Sequence, residues 1–164
     1  MRLGFTLRQA ALAIALGAAV TIGGALVFEH GLGYVPCKLC LTQRNPYYLA
    51  IPLAVAAAFL PPRWTRAGLW LLALIFIVSA GLGAYHAGVE WSIWVGPSDC
   101  GGGAASGAGN MGDFLSQLQT TRVVSCTEAA WRFMGLSLAG WNVLISLALA
   151  AFAALTASDR SVKA

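Results

Sequence analysis

The sequence predicts an all-α integral membrane protein, in which four helices form a bundle and one long loop joins the third helix to the fourth. Two observations lead to this fold class. Of the 164 residues, 59% are hydrophobic and only 10% are charged, whereas about 25% of the residues of a soluble domain are charged. The hydrophobic residues are also concentrated in four stretches long enough to be read as membrane-spanning helices. We expect a single membrane domain over residues 1–164.

The first predicted helix covers about residues 7–28. A cleaved secretory signal peptide also begins with positive charge and an apolar run, but its apolar core is only about 7–15 residues long. The run from Ala10 to Phe28 is longer and ends at Glu29 and His30. We therefore expect a retained membrane-spanning helix rather than a signal peptide.

The second predicted helix covers about residues 40–60 and ends before Pro61. A helix that began at Pro46 would be about 22 Å long, which is short of a hydrocarbon core of about 30 Å. A start near Cys40 lengthens the helix to about 31 Å and places Cys40 at the membrane surface. Pro46 and Pro52 can be accommodated in such a helix as local bends.

The third and fourth predicted helices cover about residues 67–87 and 133–156, and both are long enough to span a membrane. Gly81 and Gly83 on the third helix would allow another helix to approach closely, although small residues that merely face lipid would give the same pattern. The connection over about residues 88–132 is the only long one, and it contains Cys100 and Cys126.

Basic residues predict the orientation of the helices. The amino end, the second connection and the carboxyl tail share a side of the bundle that has six basic residues and one acidic residue. They are Arg2, Arg8, Arg63, Arg66, Arg160, Lys163 and Asp159. Under the positive-inside rule this side, with both termini, faces the cytoplasm, so that all four cysteines face outward. The basic residues form no continuous tract, and we expect no binding to nucleic acid.

The motif Cys37-Lys38-Leu39-Cys40 precedes the second helix. A disulfide that closes so short a loop contributes only about 2 kcal/mol of stability in the chain-entropy model, so such pairs are more often redox-active or metal-binding than structural. A structural zinc site commonly has two close pairs of ligands. Cys100 and Cys126 are too far apart in sequence to form a second close pair, so we expect no metal.

The second cysteine pair allows two interpretations. A bridge between Cys100 and Cys126 would stabilise the long loop by roughly 3.5 kcal/mol in the same model, which is a purely structural role. Alternatively, the two pairs exchange electrons through mixed disulfides. Arg44 lies four residues after Cys40, on the same helical face. Its guanidinium could stabilise a Cys40 thiolate and bind a carbonyl oxygen of a cofactor, or it could simply reach the lipid headgroups.

At these residues the sequence resembles the DsbB family, the inner-membrane quinone reductases that reoxidise the periplasmic disulfide donor DsbA. The resemblance lies in the run C-x-L-C-x-x-Q-R from Cys37 to Arg44, in the outer pair Cys100 and Cys126, and in the four predicted spans with both ends inside. It covers nearly the whole chain. It implies a four-helix bundle of the bacterial inner membrane that passes electrons from a DsbA-like thiol protein to ubiquinone or menaquinone.

The resemblance also implies roles for individual residues. The reduced partner would form a mixed disulfide with Cys100, and Cys126 would complete the outer pair. The electrons would then reach Cys37 and Cys40, with Cys40 facing the quinone ring.

Three further residues are implied to surround the quinone. Arg44 and Gln43 would bind or polarise it. His86, at the outer end of the third helix, is a further candidate contact, although a histidine at a membrane interface is as often a structural polar residue.

Two other function classes remain. The vitamin K epoxide reductase family also combines a four-helix core with two cysteine pairs, but its active C-x-x-C usually lies late in the bundle, whereas Cys37 and Cys40 precede the second helix. A non-enzymatic membrane protein with two inert disulfides is the other class. Redox lability separates it from an oxidase, because structural bridges resist reduction by the glutathione pool.

Overall fold

The computed structural model describes residues 6–96, 122–123 and 126–159, and these residues are mostly helical. Four long helices lie within them. We number them in chain order as α1 Leu7–Leu26, α2 Lys38–Ala58, α3 Pro62–Glu90 and α4 Leu138–Ser158. Four short strands complete the described structure: β1 Tyr34–Val35, β2 Arg122–Val123, β3 Arg132–Phe133 and β4 Leu136–Ser137.

Three of these helices are long and apolar enough to cross a membrane. They are the continuous helical segment Leu7–Gly31, which extends α1, and the helices α3 and α4. The α2 helix differs because its first half contains the polar residues Lys38, Gln43 and Arg44. The predicted helical membrane protein is therefore confirmed at this level, while a fourth span formed by α2 stays a prediction.

The ends of α1 and α2 follow from local side-chain chemistry. Thr6 and Gln9 form a reciprocal capping box at the start of α1. Its carboxyl end continues into a π-helical turn, Val27–Gly31, beyond the predicted end at residue 28. The α2 helix begins at Lys38, two residues before the predicted start, because the sulfur of Cys37 accepts a hydrogen bond from the Cys40 amide and caps the helix.

The α3 helix is longer than the predicted range of residues 67–87. It starts at Pro62 because proline is favourable in the first turn of a helix, where its missing N–H costs no hydrogen bond. It continues to Glu90, so that the long connection predicted over about residues 88–132, which we call the outer loop, begins later than predicted.

The α4 helix begins at Leu138, five residues after the predicted start. The preceding residues form a tight hairpin between β3 and β4, whose turn residues Met134 and Gly135 both have positive φ. Positive φ at both positions is the requirement of the two-residue turn that suits β-hairpins. The side chain of Ser137 then caps α4 by accepting a hydrogen bond from the Gly140 amide.

The four helices share a core made largely of small residues. Ala11, Ala50, Ala54 and Ala153 are buried there, together with larger residues such as Phe76. Many leucines, valines and tryptophans lie on the outer surface instead. This distribution suits a helix bundle in lipid, where small residues let helices approach closely and large apolar residues face the acyl chains.

A parallel pairing of two short strands brings the end of the outer loop to the start of α2. Val35 pairs with Val123 in this ladder. Val35 lies two residues before Cys37, and Val123 lies three residues before Cys126. The pairing therefore positions Cys126 beside Cys37. Cys100, the other member of the predicted outer pair, lies outside the described residues.

Candidate active site

The two cysteines of the C-x-x-C motif lie side by side at the amino end of α2. Their sulfur atoms are 2.9 Å apart, and both cysteines are free thiols. A disulfide has an S–S distance of about 2.05 Å, so closing the bond requires a movement of only about 1 Å. The pair can thus alternate between dithiol and disulfide without rearrangement of the helix.

The sulfur of Cys126 and the imidazole of His86 lie close to the Cys37 sulfur. The Sγ atoms of Cys37 and Cys126 and Nε2 of His86 all lie within 4.8 Å of one another. These side chains are buried, with relative exposures of 5% for Cys37, 0% for Cys126 and 4% for His86. Cys126 is disulfide-bonded, so its sulfur is an electrophile in this state. The absence of a metal site stays a prediction.

The environment of Cys37 lowers the pKa of its thiol below the ordinary value. The largest cause is the hydrogen bond from the Cys40 thiol, which stabilises the Cys37 thiolate. Burial acts in the opposite direction, while the nearby His86 and the Cys40 amide lower the pKa further. The partial positive charge of a helix amino end acts in the same sense. Cys37 is therefore the more acidic cysteine of the pair.

Hydrogen bonds connect His86 to the middle of the bundle. Gln43 Nε2 donates to Nδ1 of His86, and Asn142 Nδ2 donates to Oε1 of Gln43 at 2.7 Å. The Tyr47 hydroxyl donates to Oδ1 of Asn142 at 2.6 Å and lies 2.8 Å from the hydroxyl of Ser146. The bond from Asn142 identifies which atom of the Gln43 amide is the oxygen, so the amide nitrogen faces His86. Because Nδ1 of His86 accepts from this nitrogen, the ring proton of neutral His86 is on Nε2.

Arg44 forms an ion pair with Glu29 at the end of α1. Their side chains are 11% and 26% exposed, respectively, so the pair is largely shielded from solvent. An arginine has five N–H donors in a fixed planar arrangement. The bond to Glu29 orients this group, and its remaining donors can serve another acceptor.

These polar groups border one cavity of about 390 Å³, a volume typical of small-molecule sites. Its wall is mostly apolar and includes Ile22 and Ala25 of α1 and Ile145 of α4. The polar residues in the wall come chiefly from the start of α2 and the end of α3. The polar residues from α2 and α3 are Cys40, Gln43, Arg44, Tyr47, His86 and Glu90, and Glu29 and Asn142 also line the cavity.

Comparison with known proteins identifies the family. The family model described as disulfide bond formation protein DsbB matches residues 7–156. The chain belongs to the DsbB family. The matched range includes every described residue of the cysteine cluster and of the cavity.

Several relatives carry the same description. The chain is similar to disulfide bond formation protein B of Nitrosomonas europaea, with 29% identity over 92% of this chain and 93% of the relative. It is 30% identical to the Methylococcus capsulatus protein over 84% of this chain and 85% of the relative. The Marinobacter nauticus protein is 30% identical over 73% of each chain. No solved structure matches the chain. The protein is thus a DsbB-family membrane oxidoreductase of disulfide bond formation.

The structure of this DsbB-family protein brings together most of the residues that the sequence predicted. Cys37, Cys40, Gln43 and Arg44 lie along the first turns of α2, and His86 faces them from α3. Their roles at a bound cofactor stay predictions. The position of His86 connects it to Cys37 and Gln43 as well as to the cavity.

Three site residues were missed by the sequence analysis. Glu29 pairs with Arg44, Asn142 holds Gln43, and Glu90 lies next to His86. The sequence contains a feature that could have indicated Asn142 and another that could have indicated Glu90. Asn142 is a polar residue within an otherwise apolar helix, and His86 and Glu90 have the i, i+4 spacing of neighbours on one helical face.

Proposed function

We propose that this protein reoxidises a periplasmic DsbA-like protein of thioredoxin fold and passes the electrons to a membrane quinone, either ubiquinone or menaquinone. One observation carries the proposal. The Cys126 sulfur lies within 4.8 Å of the Cys37 sulfur, while Cys40, which adjoins Cys37, borders the cavity. The sulfurs thus form a continuous path from the outer loop to the cavity.

The exchange begins at the outer pair. The partner's thiolate attacks Cys100 of the Cys100–Cys126 disulfide, which forms a mixed disulfide and releases Cys126 as a thiolate. Cys126 then attacks the Cys37 sulfur of the Cys37–Cys40 disulfide, and Cys40 leaves as a thiolate. The second partner thiol releases Cys100 from the mixed disulfide, and Cys100 attacks Cys126 to restore the outer bridge. Cys37 and Cys40 then hold the two electrons.

The burial of Cys37 and Cys126 favours a relay. A soluble partner would have to displace the surrounding side chains to reach either sulfur directly. An exposed cysteine in the outer loop is therefore needed as the entry point, and we assign this role to Cys100.

The cavity fits a quinone. A quinone has two carbonyl oxygens on a ring and a long apolar tail, and the cavity combines polar residues near Cys40 with a mostly apolar wall. When bound, the quinone supplies a two-electron acceptor. Arg44, held by Glu29, would donate hydrogen bonds to a ring oxygen. Gln43 and His86 would form the neighbouring polar wall.

The orientation completes the proposal. With α2 as a fourth span, both termini and the connection near Arg63 and Arg66 lie in the cytoplasm under the positive-inside rule. The cysteine cluster then lies at the periplasmic end of the bundle. Disulfides form and persist in such an oxidising compartment.

Anaerobic mixing tests the proposal. Purified protein, reduced DsbA-like partner and a water-soluble ubiquinone analogue are combined, and quinone absorbance is followed. We expect oxidised quinone to be consumed by the unmodified protein and not by Cys40→Ser or Cys100→Ser. Thr42→Ala is the matched control, because Thr42 is half-buried on the same helix, does not border the cavity and bonds only to its own helix in the described structure.

Two results would contradict parts of the proposal. If quinone is not consumed and the disulfides persist after the partner is added, the protein is not an oxidase of this kind. If consumption requires Cys40 but not Cys100, the outer pair is a structural bridge and the partner reaches the inner pair directly.

A further inference from the structure

Glu90 is a buried carboxyl group at the end of α3. Its side chain is 4% exposed, and Oε1 lies 3.8 Å from Nε2 of His86. The other oxygen, Oε2, is buried and has no hydrogen-bond partner among the described residues. Leaving such an atom unsatisfied is unfavourable, most of all when the group is charged. Glu90 also borders the cavity, so a molecule bound there or a proton on the carboxyl would satisfy this oxygen.

The other polar groups of the cavity already have partners. Arg44 is bonded to Glu29, and Gln43 is bonded to both His86 and Asn142. Among buried side-chain atoms that the structure describes, Oε2 of Glu90 is the oxygen left over. It is therefore a buried acceptor of the cavity wall that has no hydrogen-bond partner in the described structure.

The chemistry of a quinone restricts what Glu90 can do. The oxygens of a quinone only accept hydrogen bonds, and an ionised carboxylate also only accepts them. The two groups can face each other only if a proton lies between them. A protonated Glu90 can donate to a quinone oxygen, and an ionised Glu90 can accept from a quinol hydroxyl.

The hydrogen bonds of His86 couple Glu90 to Cys37. Because Gln43 donates to Nδ1, the ring proton of neutral His86 is on Nε2. This single N–H lies 3.7 Å from the Cys37 sulfur and 3.8 Å from the Glu90 oxygen. A proton exchanged at this nitrogen would pass between the Cys37 sulfur and the Glu90 carboxyl, whose Oε2 has no hydrogen-bond partner among the described residues.

We infer that Glu90 holds the proton that Cys37 gives up and donates it to the quinone oxygen that becomes a hydroxyl. This inference rests on the proposed function. Cys37 as thiolate and Cys40 as thiol supply two electrons when they join in a disulfide. The Cys40 sulfur and Glu90 supply one proton each, which gives the quinol and leaves Glu90 as a carboxylate. The titratable groups that face Glu90 in the described structure are His86 and Cys40.

A redox titration of quinone-free protein counts these protons. The background carries Cys100→Ser and Cys126→Ser, so that only the Cys37–Cys40 pair is titrated against a thiol buffer near neutral pH. With Glu90 present, reduction takes up two protons for two electrons. With Glu90→Gln we expect one proton, so the slope of the reduction potential against pH is halved. Equal slopes in the two proteins would overturn the inference.

Glu128→Gln is the matched control for this titration. Glu128 is an exposed acid in the carboxyl-terminal part of the outer loop, and its replacement should leave the slope unchanged. A halved slope in this control as well would show that the effect of Glu90→Gln is not specific, which would also overturn the inference.

Infrared difference spectroscopy provides a second test, whose decisive result comes from the protein that retains Glu90. Reduction of the quinone-free Cys37–Cys40 pair should produce a carboxylic acid C=O band that shifts in D₂O, is lost in Glu90→Gln and is retained in Glu128→Gln. Absence of a redox-linked carboxyl band in the protein with Glu90 would overturn the inference, even if Glu90→Gln failed to fold. Neither measurement contains quinone, so failure of the proposed function and failure of this inference are observed separately.

Discussion

The Cys37 sulfur lies 3.7 Å from Nε2 of His86, although the two residues are 49 positions apart. Cys37 caps α2 and His86 lies near the end of α3, so the contact depends on the packing of these two helices. It changes the interpretation of both residues. His86 is within hydrogen-bonding distance of a cysteine sulfur and also lines the cavity.

The first prediction concerns this contact. Because the pKa of the Cys37 thiol is lowered, the reduced protein should contain a thiolate at neutral pH, which becomes a thiol only in acid. In His86→Gln the loss of the imidazole N–H should move this transition to higher pH by about one unit or more, since a hydrogen bond to a charged group contributes about 1.5–3 kcal/mol. Thiolate ultraviolet absorbance, followed against pH, measures the transition.

The control for this titration is the other histidine of the chain. His30 is exposed and bonds to the carbonyl of Leu26 in its own helix. His30→Gln should leave the titration of Cys37 unchanged. An unchanged transition in His86→Gln would show that the contact with His86 does not affect the acidity of the thiol.

The second prediction concerns the path between the two cysteine pairs. A variant with Cys40→Ser and Cys100→Ser retains only Cys37 and Cys126, whose sulfurs lie within 4.8 Å. Mild oxidation should join them in a disulfide, which peptide mass spectrometry under non-reducing conditions detects. Exchange between the two pairs requires this bond as an intermediate.

The comparison variant retains Cys40 and Cys126 in place of Cys37 and Cys126. We expect slower and less complete crosslinking, because Cys37, not Cys40, belongs to the close cluster with Cys126. Equal crosslinking through Cys40 would contradict the order of transfer that we propose.

The third prediction concerns Arg44. In Arg44→Lys a single ammonium group replaces the planar guanidinium. The lysine side chain can no longer bond to Glu29 and present further donors to the cavity in a fixed orientation. We expect the KM for the quinone analogue to rise about tenfold, which corresponds to about 1.4 kcal/mol. Steady-state quinone reduction at varied analogue concentration measures it.

The matched substitution is Arg63→Lys. Arg63 lies over the ring of Trp64 in the first turn of α3, away from the cavity wall. Its replacement should leave the KM unchanged. If Arg44→Lys gives the same KM as the unmodified protein, Arg44 serves only the structure of the helix ends.

The site residues that could be predicted are those that lie close together in sequence. Near the start of α2, sequence spacing alone determines which side chains are neighbours. The residues predicted there are Cys37, Cys40, Gln43 and Arg44. The partner of Arg44 could not be found in this way, because Glu29 lies beyond the bend between α1 and α2.

The remaining site residues depend on contacts between distant helices. Gln43 meets His86 across 43 positions and Asn142 across 99. Hydropathy identifies the helices that carry these residues but does not specify their rotation about the helix axes, so it cannot tell which polar side chains meet. Helix ends were also missed where local geometry decides them, as at the positive-φ turn of Met134 and Gly135 before α4.

The last prediction separates two glycines that the sequence could not distinguish. A methyl group at Gly83 would lie 3.0 Å from Nδ2 of Asn142 and from a methyl of Val143, and 3.2 Å from the carbonyl oxygen of Ala139. A methyl group at Gly81 meets nothing within 4 Å. Gly83 is therefore a point of close approach between α3 and α4, and Gly81 is a matched site on the same helix without this contact.

We expect Gly83→Ala to lower the free energy of unfolding by about 1–3 kcal/mol, since the extra methyl group forces the two helices apart. The same displacement moves Asn142 away from Gln43, so quinone reduction should slow as well. Gly81→Ala should be neutral or should stabilise the protein by up to about 1 kcal/mol, because alanine is the better helix former. Thermal unfolding of both variants in the same detergent makes the comparison. Equal loss of stability in the two variants would mean that close approach at Gly83 does not hold α3 against α4.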